Sequence, residues 1–394
     1  MKILEVNKYA YLRRGAERHF LDVIDLLRRN GHQVSVFSMD YKREGFERDA
    51  KYQVSYVGYN DNDSTLLQRL VGVGRLFWSF EARRKMKALL CDNAPDIVHL
   101  HNIYHQLSPS ILGPIKSAGI PIMMTVHDYN LISPDKDAYY PEVGKRYYKF
   151  LFMRKYRFGK RLLLVLKKYW EEWMGFYEKD IDIYIVPSLY VKNVLMQAGI
   201  KETQIIVIPH FIAKQPGEIS SLVTKGTKKY ALYGGSISKE KGVDTLIRIF
   251  EVLRIPLILA GECENNFTVP RSKYVTFLGK QTKEQMEVLM QDASCIVSGS
   301  ILPETFGLLA LEAGSFGKPF FGFLTGAFRE IITDGENGYL ASDEKMLQQY
   351  LQDFFEGKCT FSASMIQKQA DDTFGEIAYL KHLEEVSHLL IDQK

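Results

Sequence analysis

Leu302-Pro303-Glu304-Thr305-Phe306-Gly307-Leu308-Leu309-Ala310-Leu311-Glu312 decides how the rest of this chain is read. The residues before it, Ala293-Ser294-Cys295-Ile296-Val297-Ser298, are a short apolar run that reads as a buried strand. Leu308, Leu309 and Leu311 then predict a helix packed inward. Glu304 falls in the strand-to-helix loop, and Glu312 lies a little over two helical turns later on roughly the same side. Phe306-Gly307-Leu308 puts backbone N–H groups at the start of that helix, where the donors and the helix dipole favour phosphate. One loop therefore offers a phosphate cradle and two carboxylates able to accept from hydroxyl groups.

Short apolar runs alternate with longer amphipathic ones on both sides of this stretch, which predicts an α/β protein with parallel sheets covered by helices. The expected strands of a first domain are 2–6, 33–39, 52–57, 96–101, 121–126, 181–186 and 205–208. Helices are expected at 16–30, at 66–90 with a break around Gly72 and Gly74, and as a long insertion over 147–178. A polar linker rich in Lys, Ser and Gly runs to Lys229. A second set of strands follows at 230–233, 256–260, 274–277, 294–298 and 320–323, then an amphipathic helix at 375–390.

The chain has 394 residues, enough for two domains with separate cores. A formal charge of +4 is too mild to suggest a nucleic-acid partner. Cys91, Cys263, Cys295 and Cys359 lack Cys-x-x-Cys spacing, which argues against a zinc site or disulfide framework and suits a reducing cytoplasm. The first residues enter a strand directly, so no signal peptide is expected, and no run approaches membrane-spanning length.

Four further constellations carry chemistry. In Tyr233-Gly-Gly-Ser-Ile-Ser-Lys-Glu-Lys-Gly-Val-Asp-Thr-Leu246 a strand, a glycine turn, a basic loop and a helix follow one another. Lys241 in that loop suits a diphosphate whose charge grows as it leaves. Arg14-Gly15-Ala16-Glu17 links the first strand to its helix. Two strand ends carry His99-Leu100-His101-Asn102 and Thr125-Val126-His127-Asp128, and such carboxyl ends are where parallel sheets bind ligands. Gly326 to Glu330 and Thr333 to Tyr339 read as architectural turns.

These motifs resemble the retaining, GT-B-fold, nucleotide-sugar-dependent glycosyltransferases of the Glu-x7-Glu type, the glycosyltransferase family 4 and glycosyl transferases group 1 families. Glu304 and Glu312 match the paired glutamates. Gly235, Lys241 and Gly242 match a Gly-Arg-x-x-x-x-Lys-Gly motif, with Ser236 where that family has Arg. Gly15 matches a Gly-Gly-x-Glu loop, with Arg14 in place of its first glycine. The resemblance implies two Rossmann-like domains facing a central cleft, 1–210 on the acceptor side and 211–375 for the nucleotide sugar, with a final helix 376–394 returning to the first.

It implies transfer of a sugar from a UDP- or GDP-linked donor to a saccharide or lipid-linked saccharide, with retention, in cell-surface polysaccharide synthesis. Glu304 would hold sugar hydroxyls and Glu312 the ribose. Lys241, Ser236 and the N–H groups of Phe306, Gly307 and Leu308 would hold the diphosphate, with Gly15 and Gly235 letting backbone approach. His127 would reach the reaction centre, and Arg14, His101, Asn102 and Asp128 would line the acceptor side. No metal or separate cofactor is implied, and Asp61-Asn62-Asp63 and Asp135-Lys136-Asp137 lie in expected loops rather than at strand ends. The substitutions at Ser236 and Arg14 keep a catalytically silent partner subunit as an alternative. A dinucleotide oxidoreductase is a weaker one, since the Gly-x-Gly-x-x-Gly fingerprint is missing.

Residues 143–170 contain no Asp or Glu, while Lys and Arg from Lys145 to Lys168 alternate with aromatic residues. That composition suits peripheral contact with an anionic membrane on its cytoplasmic face, or a basic face packed on the first domain.

Overall fold

A computed structural model describes residues 1–40, 51–57, 66–153, 155–212, 229–264 and 267–393. Asp61 to Asp63, Arg154 and most of the expected linker lie outside them. The chain divides into two compact units, 1–208 with 380–394, and 209–379.

The first unit is built on six parallel strands: β1 (Lys2–Val6), β2 (Gln33–Phe37), β3 (Ile97–Leu100), β4 (Ile122–Thr125), β5 (Ile183–Val186) and β6 (Ile205–Val207). Their order is β2-β1-β3-β4-β5-β6. β3, β4 and β5 are buried at every position, as expected of a sheet covered on both faces. Leu4, Val6, Val98, Leu100, Ile122 and Met124 face one core. The alternate residues face the helix Gly15–Arg29 and the last helix, Glu376–Asp392, whose Ser387 hydroxyl donates to Met123 Sδ at 3.8 Å.

Three expectations for the first unit need correction. Residues 52–57 form no strand. Val54 makes one bridge to Met39, and Ser55 is held by side chains: Glu81 accepts its N–H at 2.9 Å and Arg75 donates to its carbonyl at 2.6 Å. The helix expected over 66–90 is two, Leu66–Phe77 and Phe80–Asp92. The break falls not at Gly72 or Gly74 but at Ser79, whose hydroxyl caps the second helix by accepting from Ala82 N–H. The insertion over 147–178 is also divided, into a 3₁₀ turn Tyr147–Phe152 and helices Phe158–Met174 and Phe176–Asp180.

The helix Phe158–Met174 buries charge and exposes apolar surface. Glu171 holds Lys167 at 2.7 Å and Lys168 at 3.1 Å, all three buried. Lys168 also donates to the carbonyls of Asn130 and Leu131. Phe158, Leu162, Leu166, Tyr169 and Trp173 form the outer stripe, with Trp173 80% exposed. Among the described residues no helix is long and apolar enough to cross a membrane.

The second unit repeats the design with β7 (Ala231–Gly234), β8 (Leu257–Ala260), β9 (Val275–Gly279), β10 (Cys295–Val297), β11 (Phe320–Phe323) and β12 (Gly338–Ala341), in the order β12-β11-β10-β7-β8-β9. The turn expected over Thr333 to Tyr339 gives way at Gly338 to β12. That strand pairs in parallel with β11 through Phe320–Gly338 to Phe323–Ala341. Leu232, Ile296, Phe320 and Leu340 pack on one face of this sheet, and Ala231, Tyr233, Val297 and Phe321 on the other.

Candidate active site

In each sheet the chain adds strands on one side of its first strand and then on the other. The switch lies between β1 and β3 in the first unit and between β7 and β10 in the second. Open parallel sheets bind ligands at the carboxyl ends of strands beside such a switch.

In the second unit two loops leave that position, 235–242 after β7 and 298–307 after β10. Gly242 has φ 63°, and a Cβ there would lie 1.7 Å from the Gly299 carbonyl oxygen. Only glycine allows the loops this close. The result is that Lys241 Nζ donates to Glu304 Oε1 at 2.7 Å. Glu304 is held from behind, because Ala327 N–H donates to its carbonyl at 3.0 Å. Gly326 (φ 56°) packs so tightly that a Cβ would meet the Glu304 N and O at 2.4 Å. The two side chains are 40% and 23% exposed. Water screens such a pair, which adds only ~0.2–1 kcal/mol to stability. Its significance is chemical: a cation and an anion stand side by side at the kind of edge where open parallel sheets bind ligands.

Ser236 lies on the same edge. Its hydroxyl donates to Glu264 Oε1 at 2.8 Å, and its carbonyl accepts from the Tyr233 hydroxyl at 2.8 Å. The one proton of Ser236 is thus committed to a carboxylate that the sequence reading did not select. The only signal was position, since Glu264 follows β8, the neighbour of β7.

The helix after the Glu304 loop is Leu308–Ser315. Gly307 enters it in the left-handed region (φ 102°) and, as the N-cap, brings no side chain to its first turn. The Phe306 ring is buried against His210 and Phe374, at centroid distances of 5.1 and 5.8 Å, so only its backbone can serve a ligand. Glu312 is half-buried within the helix.

In the first unit the strand ends carry a hydrogen-bonded row of side chains. Glu5 on β1 is the register partner of His99 on β3. The Glu5 carboxylate accepts from His99 Nδ1 and from His101 Nε2, both at 2.9 Å. His99 Nε2 meets Thr125 Oγ1 at 2.7 Å, and His101 Nδ1 meets His127 Nε2 at 2.8 Å. Glu5, His99 and His101 have no exposed surface, and His127 is half-buried at the end of the row. Burial alone would raise the Glu5 carboxyl, but the two imidazoles outweigh it and hold it at about 2. Burial and the neighbouring His99 push His101 down to about 4.

Glu5, His99 and His101 are the one group among the described residues spaced to hold a metal ion, yet each of their ligand atoms already has a hydrogen-bond partner. Glu5 escaped the sequence reading, although a carboxylate inside the apolar strand Ile3-Leu-Glu-Val6 was itself a signal. Such a group is buried only with partners.

The other expected acceptor-side residues divide. Asn102 ties the loops together, taking Asn7 Oδ1 on its N–H and Lys8 N–H on its carbonyl, both at 3.0 Å. Asp128 caps the turn Tyr129–Leu131 by accepting from the Asn130 N–H and side-chain amide. Arg14 is exposed at the N-cap of the helix Gly15–Arg29, and Gly15 is its half-buried first residue.

Residues 13–215 match Glycosyltransferase Family 4, more than half of the chain, and residues 215–372 match Glycosyl transferases group 1. The chain belongs to glycosyltransferase family 4. Its relatives include an uncharacterized 42.6 kDa protein in the cps region of Klebsiella pneumoniae, 24% identical over 87% of this chain and 90% of that protein. An uncharacterized glycosyltransferase of Methanocaldococcus jannaschii is 29% identical over 41% of this chain, and the match spans 45% of that relative's length. Among solved structures, Anabaena HepE in complex with UDP and glucose superposes with a TM-score of 0.67 at 18% identity, covering 99% of this chain and 100% of that one. WaaG, a glycosyltransferase involved in lipopolysaccharide biosynthesis, gives a TM-score of 0.62 at 14% identity, covering 98% and 99%. This family 4 glycosyltransferase therefore has the GT-B fold, with two parallel six-stranded sheets.

Proposed function

We propose that this glycosyltransferase moves a sugar from a UDP- or GDP-linked donor to a saccharide or lipid-linked saccharide, with retention and without a metal, in cell-surface polysaccharide synthesis. The observation that carries this reading is the 2.7 Å contact of Lys241 with Glu304, which joins two motif loops at the switch point of one sheet. In this reading the donor binds the second unit. Glu312 takes the ribose, Glu304 the sugar hydroxyls, and Lys241 the diphosphate together with the amides of the Gly307–Leu308 turn. The bond from the anomeric carbon to the diphosphate oxygen breaks, and a bond to the acceptor oxygen forms on the same face. The departing diphosphate takes the acceptor's proton, so no separate base is needed. Lys241 gains strength as negative charge collects on the leaving oxygen. In the first unit His127 is the substrate-facing group, and the fully buried His101 acts only through it.

Supporting context comes from HepE, whose structure holds UDP and glucose, and from a Salmonella relative named lipopolysaccharide 1,2-N-acetylglucosaminetransferase, 27% identical over 127 residues. The test is transfer from a panel of nucleotide sugars by the purified chain and by Glu304→Ala and Lys241→Ala. Both variants are expected to lose transfer with folding intact, and normal transfer by either would overturn the assignment. The pairing of Ser236 with Glu264 favours a second reading, a silent partner subunit, because a carboxylate stands where a diphosphate wants a cation. Donor binding without transfer or hydrolysis would establish that alternative.

We also infer peripheral contact with anionic lipid at the inner face of a membrane. The outer stripe of Phe158–Met174 and the 80% exposed Phe152 supply apolar surface, and Arg157 and Lys160 stand exposed at the first turn of the helix. Sedimentation with acidic vesicles should be salt-sensitive and should weaken in Phe158→Ser/Trp173→Ser. Equal sedimentation with neutral vesicles would refute it.

A further inference from the structure

The row of buried side chains at the carboxyl ends of β1, β3 and β4 has a direction. We propose that Glu5 is a positioning residue that, through His101, fixes His127 as the tautomer with its proton on Nε2. The proposal deepens the reading of His127 as a substrate-facing group and rests on it for its functional consequence.

A carboxylate only accepts hydrogen bonds. Both oxygens of Glu5 lie 2.9 Å from an imidazole nitrogen, so His99 Nδ1 and His101 Nε2 each carry hydrogen. His101 is fully buried, and its ring stays neutral because burial and His99 both oppose a second proton. Its Nδ1 therefore holds a lone pair. The 2.8 Å contact with His127 is a hydrogen bond only if His127 Nε2 donates. Ring packing fixes the planes: Phe20 stands edge-on to His101 at 5.0 Å, and His19 edge-on to His127 at 5.6 Å.

The consequence is a preference in ligand chemistry. In the neutral form of that tautomer His127 Nδ1 is an acceptor, so a ligand group meeting that atom must donate. A sugar hydroxyl does so; a carbonyl or phosphate oxygen does not. A carboxylate three side chains away from the ligand thereby selects hydroxyl over oxyanion. An orienting carboxylate behind a histidine is a known means of holding one tautomer.

The test is nitrogen NMR of the full chain labelled in histidine, with His127→Ala used to assign the His127 signals. The expected result is a single His127 form protonated on Nε2, with a through-hydrogen-bond coupling to His101 Nδ1. A His127 mixture of tautomers, or a proton on His101 Nδ1, would overturn the proposal. In Glu5→Met the two rings lose their fixed direction. His127 should then average between tautomers, and transfer should fall about 10-fold or more. An unchanged single His127 form in folded Glu5→Met would overturn the proposal too. Full transfer by His127→Ala would instead remove the functional reading of His127 while leaving the tautomer result intact.

Discussion

Lys241 Nζ lies 2.7 Å from Glu304 Oε1, joining loops 63 residues apart that leave the two strands flanking the switch point of the second sheet. The exposure of this pair makes it a poor stabiliser. Lys241→Ala and Glu304→Ala should each shift the thermal midpoint by no more than a few degrees, since about 1 kcal/mol moves a unit of this size by roughly 2–4 °C. Calorimetry beside a transfer assay checks this. A large loss of stability would mean that the pair is a structural brace.

Gly242 should tolerate no side chain. Gly242→Ala places a methyl 1.7 Å from the Gly299 carbonyl and keeps a left-handed φ. The loops must separate, at a cost of about 2–4 kcal/mol. Donor affinity should fall together with stability, because Lys241 moves with its neighbour. Urea titration and nucleotide-sugar binding read both effects.

Acid should unfold the first unit. The Glu5 carboxyl is held at about 2 against an ordinary 4.5, so its stabilisation is present above 4.5 and is lost as pH falls toward 2. His101 is pushed from 6.5 to about 4, so the unfolded chain takes up its proton first as pH drops. The fold weakens below about pH 6.5 through His101 and below about pH 4.5 through Glu5 as well, by on the order of a few kcal/mol between them. Denaturant midpoints measured from pH 8 to pH 3 should fall, with a smaller slope in Glu5→Gln.

Glu171 pairs with two buried ammonium groups, at 2.7 and 3.1 Å. Glu171→Ala leaves both charges unpaired and should cost about 3–5 kcal/mol. Replacing Lys167, Lys168 and Glu171 together by apolar residues of similar size should cost less, because no charge is then buried. Chemical denaturation of the two variants decides it.

Much of this architecture was legible in the sequence. Val98, Ile122 and Ile183 lie in apolar runs short enough for strands and too apolar for a surface, so their burial followed from composition. The segment from Cys295 to Glu312 carried its strand, loop and helix in order. Errors came where partners lie far off in the chain. Tyr52 to Val57 had the composition of a strand, but Ser55 gave its backbone groups to Arg75 and Glu81. Gly338 and Tyr339 read as the end of a turn, but β11 supplies them with a ladder.

The sequence by itself determined the parallel α/β order and the chemistry available in each loop, because periodicity and glycine placement act over a few neighbouring residues. Only the tertiary structure decided that Lys241 meets Glu304, that Ser236 is engaged by Glu264, and that Glu5 joins His99 to His101. It alone turned the charged face of Phe158–Met174 inward. Those relationships depend on strand register and on which face of each element finds a neighbour. Both are settled by packing between segments dozens of residues apart, and no local pattern encodes them.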